Sequence, residues 1–325
     1  MQQTQRLFPV LLSLLSLLLL AAAAVPRLDK DFNENYRDDI VNSRDCSVPK
    51  RSSAQEAMNE LFTCLLETHV QNTEVFRLAR QIDFGGIAGN GVTQKPLLTR
   101  LYSIAKVTAA SESYRRYFDV VSIFTPELGQ DEVRGSNELA LEAAYLAHLL
   151  STPFIRDTYA TLRANNAIDA AVSLNQFVYG IMYDHWFKLY ARTSKAHAAG
   201  RRESSGFGHV FVGEVKTNDV TGFHSWLQLL LAETQGNFDY KGYVRIQDSS
   251  VLIGGIQFSW MGRSKSLSSV MFGVPPEFEL ALYSACFIVN PGRRTNLSIK
   301  GRPVSVQTFY VNHQPESVAT AYPIV

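Results

Sequence analysis

Cysteine is scarce in this chain. Its 325 residues contain only Cys46, Cys64 and Cys286, which excludes a disulfide-rich scaffold. Cys46 could bridge to Cys64 and so tie an N-terminal arm to the first predicted helix. Cys286 lies in an apolar run, and we expect it to pack as a small hydrophobic residue.

The chain also lacks any excess of charge. Its formal net charge is +1, and it has no internal repeat and no low-complexity tract. A surface for a polyanion must therefore be a local patch and not a global property. Its 46% hydrophobic and 19% charged residues are typical of a globular protein. Its 325 residues are enough for one large domain or two small ones.

The N-terminus carries a targeting pattern. A basic residue precedes an apolar core that ends in alanines, which predicts a cleaved signal peptide over residues 1–24. A retained membrane anchor is the alternative, because the apolar stretch is long enough to span a bilayer. Residues 25–51 are polar and predict an extended arm. We expect a secreted protein that leaves the membrane after cleavage.

The remaining pattern predicts an α+β fold in one domain over residues 52–325, with a helical part at 52–199 and a strand-rich part at 200–325. Ser52 or Ser53 can cap the first helix. Further helices are predicted at 96–117, 136–150, 153–165 and 167–189. The second part predicts strands at 209–216, 243–247 and 251–260, helices at 222–232 and 276–289, and two final strands around a turn at 301–303.

Two histidines and a lysine are the candidate catalytic residues. His209 and His224 each follow a glycine-containing turn, where they are predicted to open a strand and a helix, and Lys265 follows later. Two imidazoles can supply a base and an acid, and a lysine can hold charge that develops on a phosphate. A zinc site on the two histidines lacks a third ligand at the usual spacing. Purely structural histidines remain an alternative.

Five motifs occur in order around these residues. They read GFGHVFVGE from residue 206, GFHSWLQ from 222, QFSWMGRSK from 257, GVPPEFELALYSACF from 273 and PVSVQT from 303. Together they resemble the EndoU family of metazoan secreted uridylate-specific endoribonucleases, with the densest match between residues 206 and 308.

The resemblance implies roles for four residues. His209 would be the general acid to the 5′-oxygen, His224 the base on the 2′-hydroxyl, and Lys265 the cation beside the non-bridging oxygens. Glu214 matches a glutamate that supports activity. The implied product is a 2′,3′-cyclic phosphate with a 5′-hydroxyl, and the implied cofactor is Mn²⁺ or Ca²⁺.

Two positions depart from the family pattern. Gly208 stands where a glutamate is common, which would remove an acidic group from the site's rim and put the metal dependence in doubt. Phe309 follows SVQT in place of tyrosine, although a phenyl ring can still stack on uracil. Ser269 and Thr308 are weaker candidates for hydrogen bonds to uracil. An RNA-binding protein with weakened catalysis is therefore the alternative function.

A basic segment follows the last predicted helix. It contains Arg293, Arg294, Lys300 and Arg302, and it reads equally as a solvated turn or as a phosphate-tracking patch. Asn296 begins an N-glycosylation sequon within it, so a glycan would compete for the same surface. The expected partner is single-stranded RNA containing uridine, with no DNA, and the expected state is a monomer. A secreted protein-interaction domain is a third reading.

Overall fold

Hydroxyl side chains start most of the helices in the first half of the chain. The computed structural model describes residues 44–89 and 93–325, so the predicted signal peptide at 1–24 and most of the predicted arm lie outside the described residues. Ser53 accepts a hydrogen bond from the backbone N–H of Glu56, and Thr73 and Ser103 cap the next helices in the same way. Each bond satisfies an N–H that the helix itself leaves unpaired.

Eleven α-helical segments occur in the described residues. They are α1 Ala54–Leu65, α2 Glu74–Ala79, α3 Ile104–Ala110, α4 Glu112–Val121, α5 Ser136–Ser151, α6 Pro153–Ala164, α7 Leu174–Gln176, α8 Tyr183–Trp186, α9 Ser194–Ala198, α10 Trp226–Thr234 and α11 Pro276–Val289. Three π-helical segments accompany them at Leu66–Val70, Phe177–Met182 and Gly208–Val212.

The predicted α+β class and its order along the chain are confirmed. The helix predicted at 96–117 is divided, because Ser111 adopts an extended conformation and caps α4. The helix predicted at 167–189 begins later, at Leu174, and runs through the π-helical segment Phe177–Met182 into α8.

Eight strands lie in the second half of the chain, together with helices α10 and α11. They are β1 Glu214–Val215, β2 Val220–Thr221, β3 Phe238–Asp248, β4 Leu252–Trp260, β5 Arg263–Phe272, β6 Arg294–Ile299, β7 Arg302–Val311 and β8 Gln314–Ile324. They pair antiparallel in the orders β1-β2, β3-β4-β5 and β6-β7-β8. Strands β2, β5 and β8 were not predicted.

The strand predicted at residues 209–216 is wrong over most of its length. Residues 208–212 form a π-helical turn, and only Glu214 and Val215 are extended. The valine-rich run is buried on every side and not on one face in two, so its composition did not distinguish a strand from a buried helical turn.

The described end of the arm is fixed to the helices. Cys46 and Cys64 form the predicted disulfide, and the backbone N–H groups of Cys46 and Val48 donate to Asp157 and Thr161 of α6. Cys286 is buried, as predicted. Among the described helices, none has both the length and the apolar character needed to cross a bilayer.

Candidate active site

His209 lies on the π-helical turn and not on a strand. The turn ends at Gly213, whose φ of 88° is readily available only to glycine. Phe211, on the same turn, packs against the ring of Trp186 in the core. The rigid turn therefore presents His209 at the edge of a buried aromatic cluster.

A close backbone approach brings His224 beside His209. A Cβ at Gly222 would lie 1.9 Å from the carbonyl oxygen of His209, so only glycine fits. The N–H of Phe223 then donates to the carbonyl of His209 at 3.0 Å, and the N–H of His224 donates to that of Val210 at 2.7 Å. Residues 222–224 and the π-helical turn are thus joined by their backbones.

Phe223 adopts a left-handed backbone conformation that is unusual for a phenylalanine. Its φ is 67°, and such a conformation is kept only where packing enforces it. The ring is fully buried and contacts Phe258 and Trp260 at centroid distances of 4.9 and 4.8 Å. The strain falls on the residue directly before His224, which is typical of a functional site. Helix α10 begins two residues after His224, slightly later than predicted.

One pocket of about 290 Å³ collects the three predicted catalytic side chains. His209 and His224 contribute from the paired turns and Lys265 from β5. The pocket is lined by His209, Gly222, His224, Lys265, Leu267, Ser269, Thr320 and Tyr322. The sequence candidates therefore meet in space, as their proposed chemistry requires.

Glu214 orients His209. Its Oε2 lies 2.6 Å from Nδ1 of His209 and 2.9 Å from Nε of Arg192, and Ser204 donates to its other oxygen. Burial acts to raise the pKa of Glu214, but attraction to Arg192 and then to His209 holds the pKa below its ordinary value. The ionised carboxylate only accepts hydrogen bonds, so Nδ1 of His209 carries a hydrogen and Nε2 is the nitrogen left for a substrate.

His209 is neutral in the free protein at pH 7. Burial lowers its pKa to about 4, Arg192 acts in the same direction, and Glu214 opposes both. An anion that entered the pocket would favour the imidazolium and raise this pKa.

His224 has the same hydrogen-bonding arrangement as His209, with a backbone carbonyl in place of the carboxylate. Its Nδ1 lies 2.9 Å from the carbonyl oxygen of Ser269, and a carbonyl can only accept, so Nδ1 carries the hydrogen and Nε2 keeps a lone pair. Burial and then nearby Lys265 lower the pKa of His224 well below its ordinary value. Burial also lowers the pKa of Lys265, to about 8, and Asp219 opposes that shift. At pH 7 the pocket of the free protein thus holds two neutral imidazoles beside a cation.

Of the weaker sequence candidates, Ser269 lies in the pocket, where its carbonyl holds His224. Thr308 does not reach it: the side chain is fully buried and its hydroxyl lies 3.3 Å from the carbonyl of Arg293.

Phe309 is 44% exposed and pairs with Thr320 across the β7–β8 ladder. Phe309 therefore shares a sheet face with the pocket without lining it. Asn296 is exposed on β6.

Thr320 and Tyr322 line the pocket and were missed by the sequence analysis. The ring of Tyr322 stacks on His224 with centroids 5.0 Å apart and planes 20° apart. The Thr-x-Tyr spacing near residue 320 could have indicated that both side chains point to the same side of a strand, because residues two apart on a strand face the same way. Arg192 was missed as well, since it precedes the motifs and acts through Glu214.

Gly208 does not lie on the pocket rim. A Cβ there would point to the ring of Phe124, 3.1 Å away, and to Ser205, 3.3 Å away, and neither residue lines the pocket. The expectation that glycine at this position removes an acidic group from the rim is therefore wrong.

The described residues do not provide a ligand set suited to the implied Mn²⁺ or Ca²⁺. One described group, Cys46, His69 and Asp157, brings three donor atoms within 4.8 Å of one another. The sulfur of Cys46 is in a disulfide and offers no thiolate, and hard cations of this kind prefer oxygen ligands. The pocket lining combines two imidazoles with Lys265 and contains no carboxylate, and Glu214 behind His209 is already bonded to His209 and Arg192. Neither arrangement fits a Mn²⁺ or Ca²⁺ centre.

Comparison with known proteins identifies the family. Residues 35–323 match the family model described as Endoribonuclease XendoU. The chain therefore belongs to the XendoU endoribonuclease family, which confirms the resemblance drawn from the motifs.

Individual relatives agree with this assignment. The chain is 34% identical over 301 residues to the human protein named uridylate-specific endoribonuclease, covering 90% of this chain and 62% of that protein. It is 34% identical over 217 residues to the bovine protein of the same name, covering 65% of this chain and 50% of that protein. The aligned regions thus span about half to three fifths of these relatives.

A solved structure shares the fold. It is that of XendoU, described as a splicing-independent snoRNA-processing endoribonuclease, with a TM-score of 0.60 and 26% sequence identity. The match covers 78% of this chain and 97% of that chain.

Proposed function

We propose that this protein is a uridylate-specific endoribonuclease that cleaves single-stranded RNA. The observation that carries the proposal is the pairing of two histidines in one pocket with different hydrogen-bond partners, Glu214 for His209 and a carbonyl for His224. Family membership and the names of the relatives support the same activity.

His224 acts as the general base in this mechanism. Its Nε2 lone pair accepts the proton of the ribose 2′-hydroxyl, and the 2′-oxygen attacks the adjacent phosphorus. The low pKa of His224 keeps it unprotonated before the reaction. The carbonyl of Ser269 holds the ring's other nitrogen and so fixes its direction.

His209 acts as the general acid. The P–O5′ bond breaks as the 2′-oxygen bonds to phosphorus, and the proton on Nε2 of His209 passes to the departing oxygen. Bound phosphate supplies the negative charge that raises the pKa of His209, and Glu214 stabilises the imidazolium. Lys265 balances the charge on the non-bridging oxygens. The products are a 2′,3′-cyclic phosphate and a 5′-hydroxyl.

Tyr322 and Thr320 are proposed to select uridine. An aromatic ring gives a base a stacking surface, worth about 1–3 kcal/mol by alanine substitution. The hydroxyl of Thr320 can donate to or accept from the polar edge of uracil. Both residues lie on the same face of β8 in the pocket wall, so a base stacked on Tyr322 would be within the pocket.

The mechanism assigns no step to Mn²⁺ or Ca²⁺, because the donor set fits neither. We also propose export of the protein: the apolar segment within residues 1–24 and the Cys46–Cys64 disulfide support an oxidising compartment.

The test is incubation with an RNA that contains one uridine among adenosines, and with the same RNA carrying cytidine in its place. We expect one cut, at the uridine, with a cyclic-phosphate end, and little cutting of the second RNA. Binding of the intact RNA without turnover would instead support the alternative of a catalytically weakened RNA-binding protein.

A further inference from the structure

A second concave surface lies beyond the catalytic pocket. It has a volume of about 610 Å³ and lies between β3 and the β6–β7–β8 sheet. Its lining residues are Arg245, Ile246, Gln247, Ser249, Arg294, Arg302, Pro303, Ser305, Ile324 and Val325. We call it the arginine groove. It contains three arginines and no acidic side chain.

The arginines of the groove have no carboxylate side chain as a partner in the described residues. The guanidinium of Arg294 donates to Asn296 at 2.7 Å and to Ser305 at 3.0 Å, both neutral. Arg245 donates to an oxygen of Val325 at 3.4 Å. None of the ion pairs of the described chain includes Arg245, Arg294 or Arg302. The groove therefore keeps a positive charge that an anion could neutralise.

The strand register joins this groove to the catalytic pocket. Tyr322 of the pocket pairs with Gln307, and Gln307 pairs with Arg294 of the groove. Paired residues face the same side of a sheet, and strands lie about 4.8 Å apart, so the backbone of Arg294 is roughly 10 Å from that of Tyr322. The catalytic pocket and Arg294 of the groove thus lie on one sheet face.

The two surfaces also approach one another beside the backbone of Gly255. A Cβ at Gly255 would lie 3.1 Å from Leu267, which lines the pocket, and 3.4 Å from Val325, which lines the groove. A polymer held in the pocket can therefore continue into the groove without crossing the core.

We propose that the arginine groove binds the backbone phosphates of the RNA segment that flanks the scissile uridine. The inference rests on the proposed function for its ligand, RNA. Guanidinium groups pair with phosphate oxygens through two parallel N–H donors. Contacts of this kind do not read sequence, so the groove adds affinity for longer RNA while the pocket selects the base.

The experiment uses protein made without N-glycosylation, so that Asn296 beside Arg294 carries no glycan. It measures binding of a labelled 12-nucleotide RNA whose one uridine is replaced by 2′-deoxyuridine. This ligand lacks the attacking hydroxyl and stays intact, so the measurement does not require catalysis. The variant is Arg294→Gln/Arg302→Gln, and the matched control is Arg77→Gln/Arg156→Gln, which removes two exposed arginines from α2 and α6. Cleavage of the dinucleotide uridylyl-adenosine is measured in parallel and reports the catalytic pocket alone.

We expect the groove variant to weaken 12-mer binding about tenfold and to reduce the slope of log K against log salt by about 1.4, which is about 0.7 for each lost phosphate contact. The control should change binding less than twofold, and dinucleotide cleavage should be unaltered in both. Arg302→Gln alone, whose side chain makes no hydrogen bond in the described structure, guards against misfolding and should weaken binding about threefold.

Binding of the 12-mer that is unchanged in the groove variant, or reduced equally in the control, would overturn the inference. Failure of the proposed function has a different result: the wild-type protein would leave the dinucleotide intact while the groove variant still bound the 12-mer more weakly.

Discussion

Oε2 of Glu214 lies 2.6 Å from Nδ1 of His209 and 2.9 Å from Nε of Arg192. The carboxylate is therefore shared between a cation and an imidazole. Its bond to His209 fixes which ring nitrogen carries the hydrogen, and its charge opposes the effect of burial on the pKa of His209. Arg192 also donates to the carbonyl of Ala319 at 2.8 Å, next to Thr320, so it links the histidine to the strand that forms the opposite wall of the pocket.

Replacing Glu214 and replacing Arg192 should shift the pH dependence of cleavage in opposite directions. Glu214→Gln removes a group that raises the pKa of His209, and Arg192→Gln removes one that lowers it. As an acid, His209 must be protonated, so kcat/KM falls as pH rises through its pKa. We expect this falling limb to move to lower pH in Glu214→Gln and to higher pH in Arg192→Gln. Limbs that move together, or not at all, would contradict the assignment of His209 as the acid.

Tyr322 should account for uridine stacking, and Phe309 should not. Tyr322→Ala should lower kcat/KM on single-uridine RNA by about 10- to 100-fold, from the loss of about 1–3 kcal/mol of stacking. Tyr322→Phe should retain most of the activity because it keeps the ring. Phe309→Ala serves as the control, since its ring lies outside the pocket. A larger loss of kcat/KM in Phe309→Ala than in Tyr322→Ala would mean that Phe309, the residue favoured by the sequence, stacks on the base.

The residues that could be predicted from the sequence are those that lie within short, recognisable motifs. His209, His224 and Lys265 follow recognisable motifs, and α11 matches its predicted bounds because Pro276 starts it. The turn at His209 was mispredicted because a short apolar run fits a strand and a buried helical turn equally. Thr320 and Tyr322 reach the pocket only through the pairing of β8, and Arg192 reaches Glu214 only through the fold of distant segments. Their spacing in the sequence did not by itself place them at the site.

His185 should make the protein sensitive to acid. It is buried against Phe287, and burial lowers its pKa to about 4, whereas the unfolded chain takes up this proton near 6.5. Stability is therefore lost as pH falls from about 6.5 to 4. We expect the free energy of unfolding of the wild type, relative to His185→Leu, to fall by about 3 kcal/mol between pH 7 and pH 4. Denaturant titrations at several pH values measure it, and a pH-independent difference would refute it.

The sequon at Asn296 gives a test of export. Ser298→Ala destroys the sequon but leaves the side chain of Asn296, which accepts hydrogen bonds from Arg294 and Ser305. In protein recovered from the medium of eukaryotic cells, we expect this variant to lose the mass of one glycan. Thr295→Ser, which leaves the sequon intact, is the control. Equal masses for Ser298→Ala and the wild type would mean that Asn296 is not glycosylated.

His224 removes the proton of the ribose 2′-hydroxyl, and the stability of the fold does not depend on its side chain. The most direct measurement compares wild type, His224→Ala and His197→Ala on single-uridine RNA, with the melting temperature of each. His197 is exposed and lies outside the pocket, so it controls for loss of a histidine. We expect His224→Ala to cleave about 10²- to 10⁴-fold more slowly, with a melting temperature close to that of the wild type, while His197→Ala keeps the wild-type rate. Cleavage by His224→Ala at the wild-type rate would contradict the account.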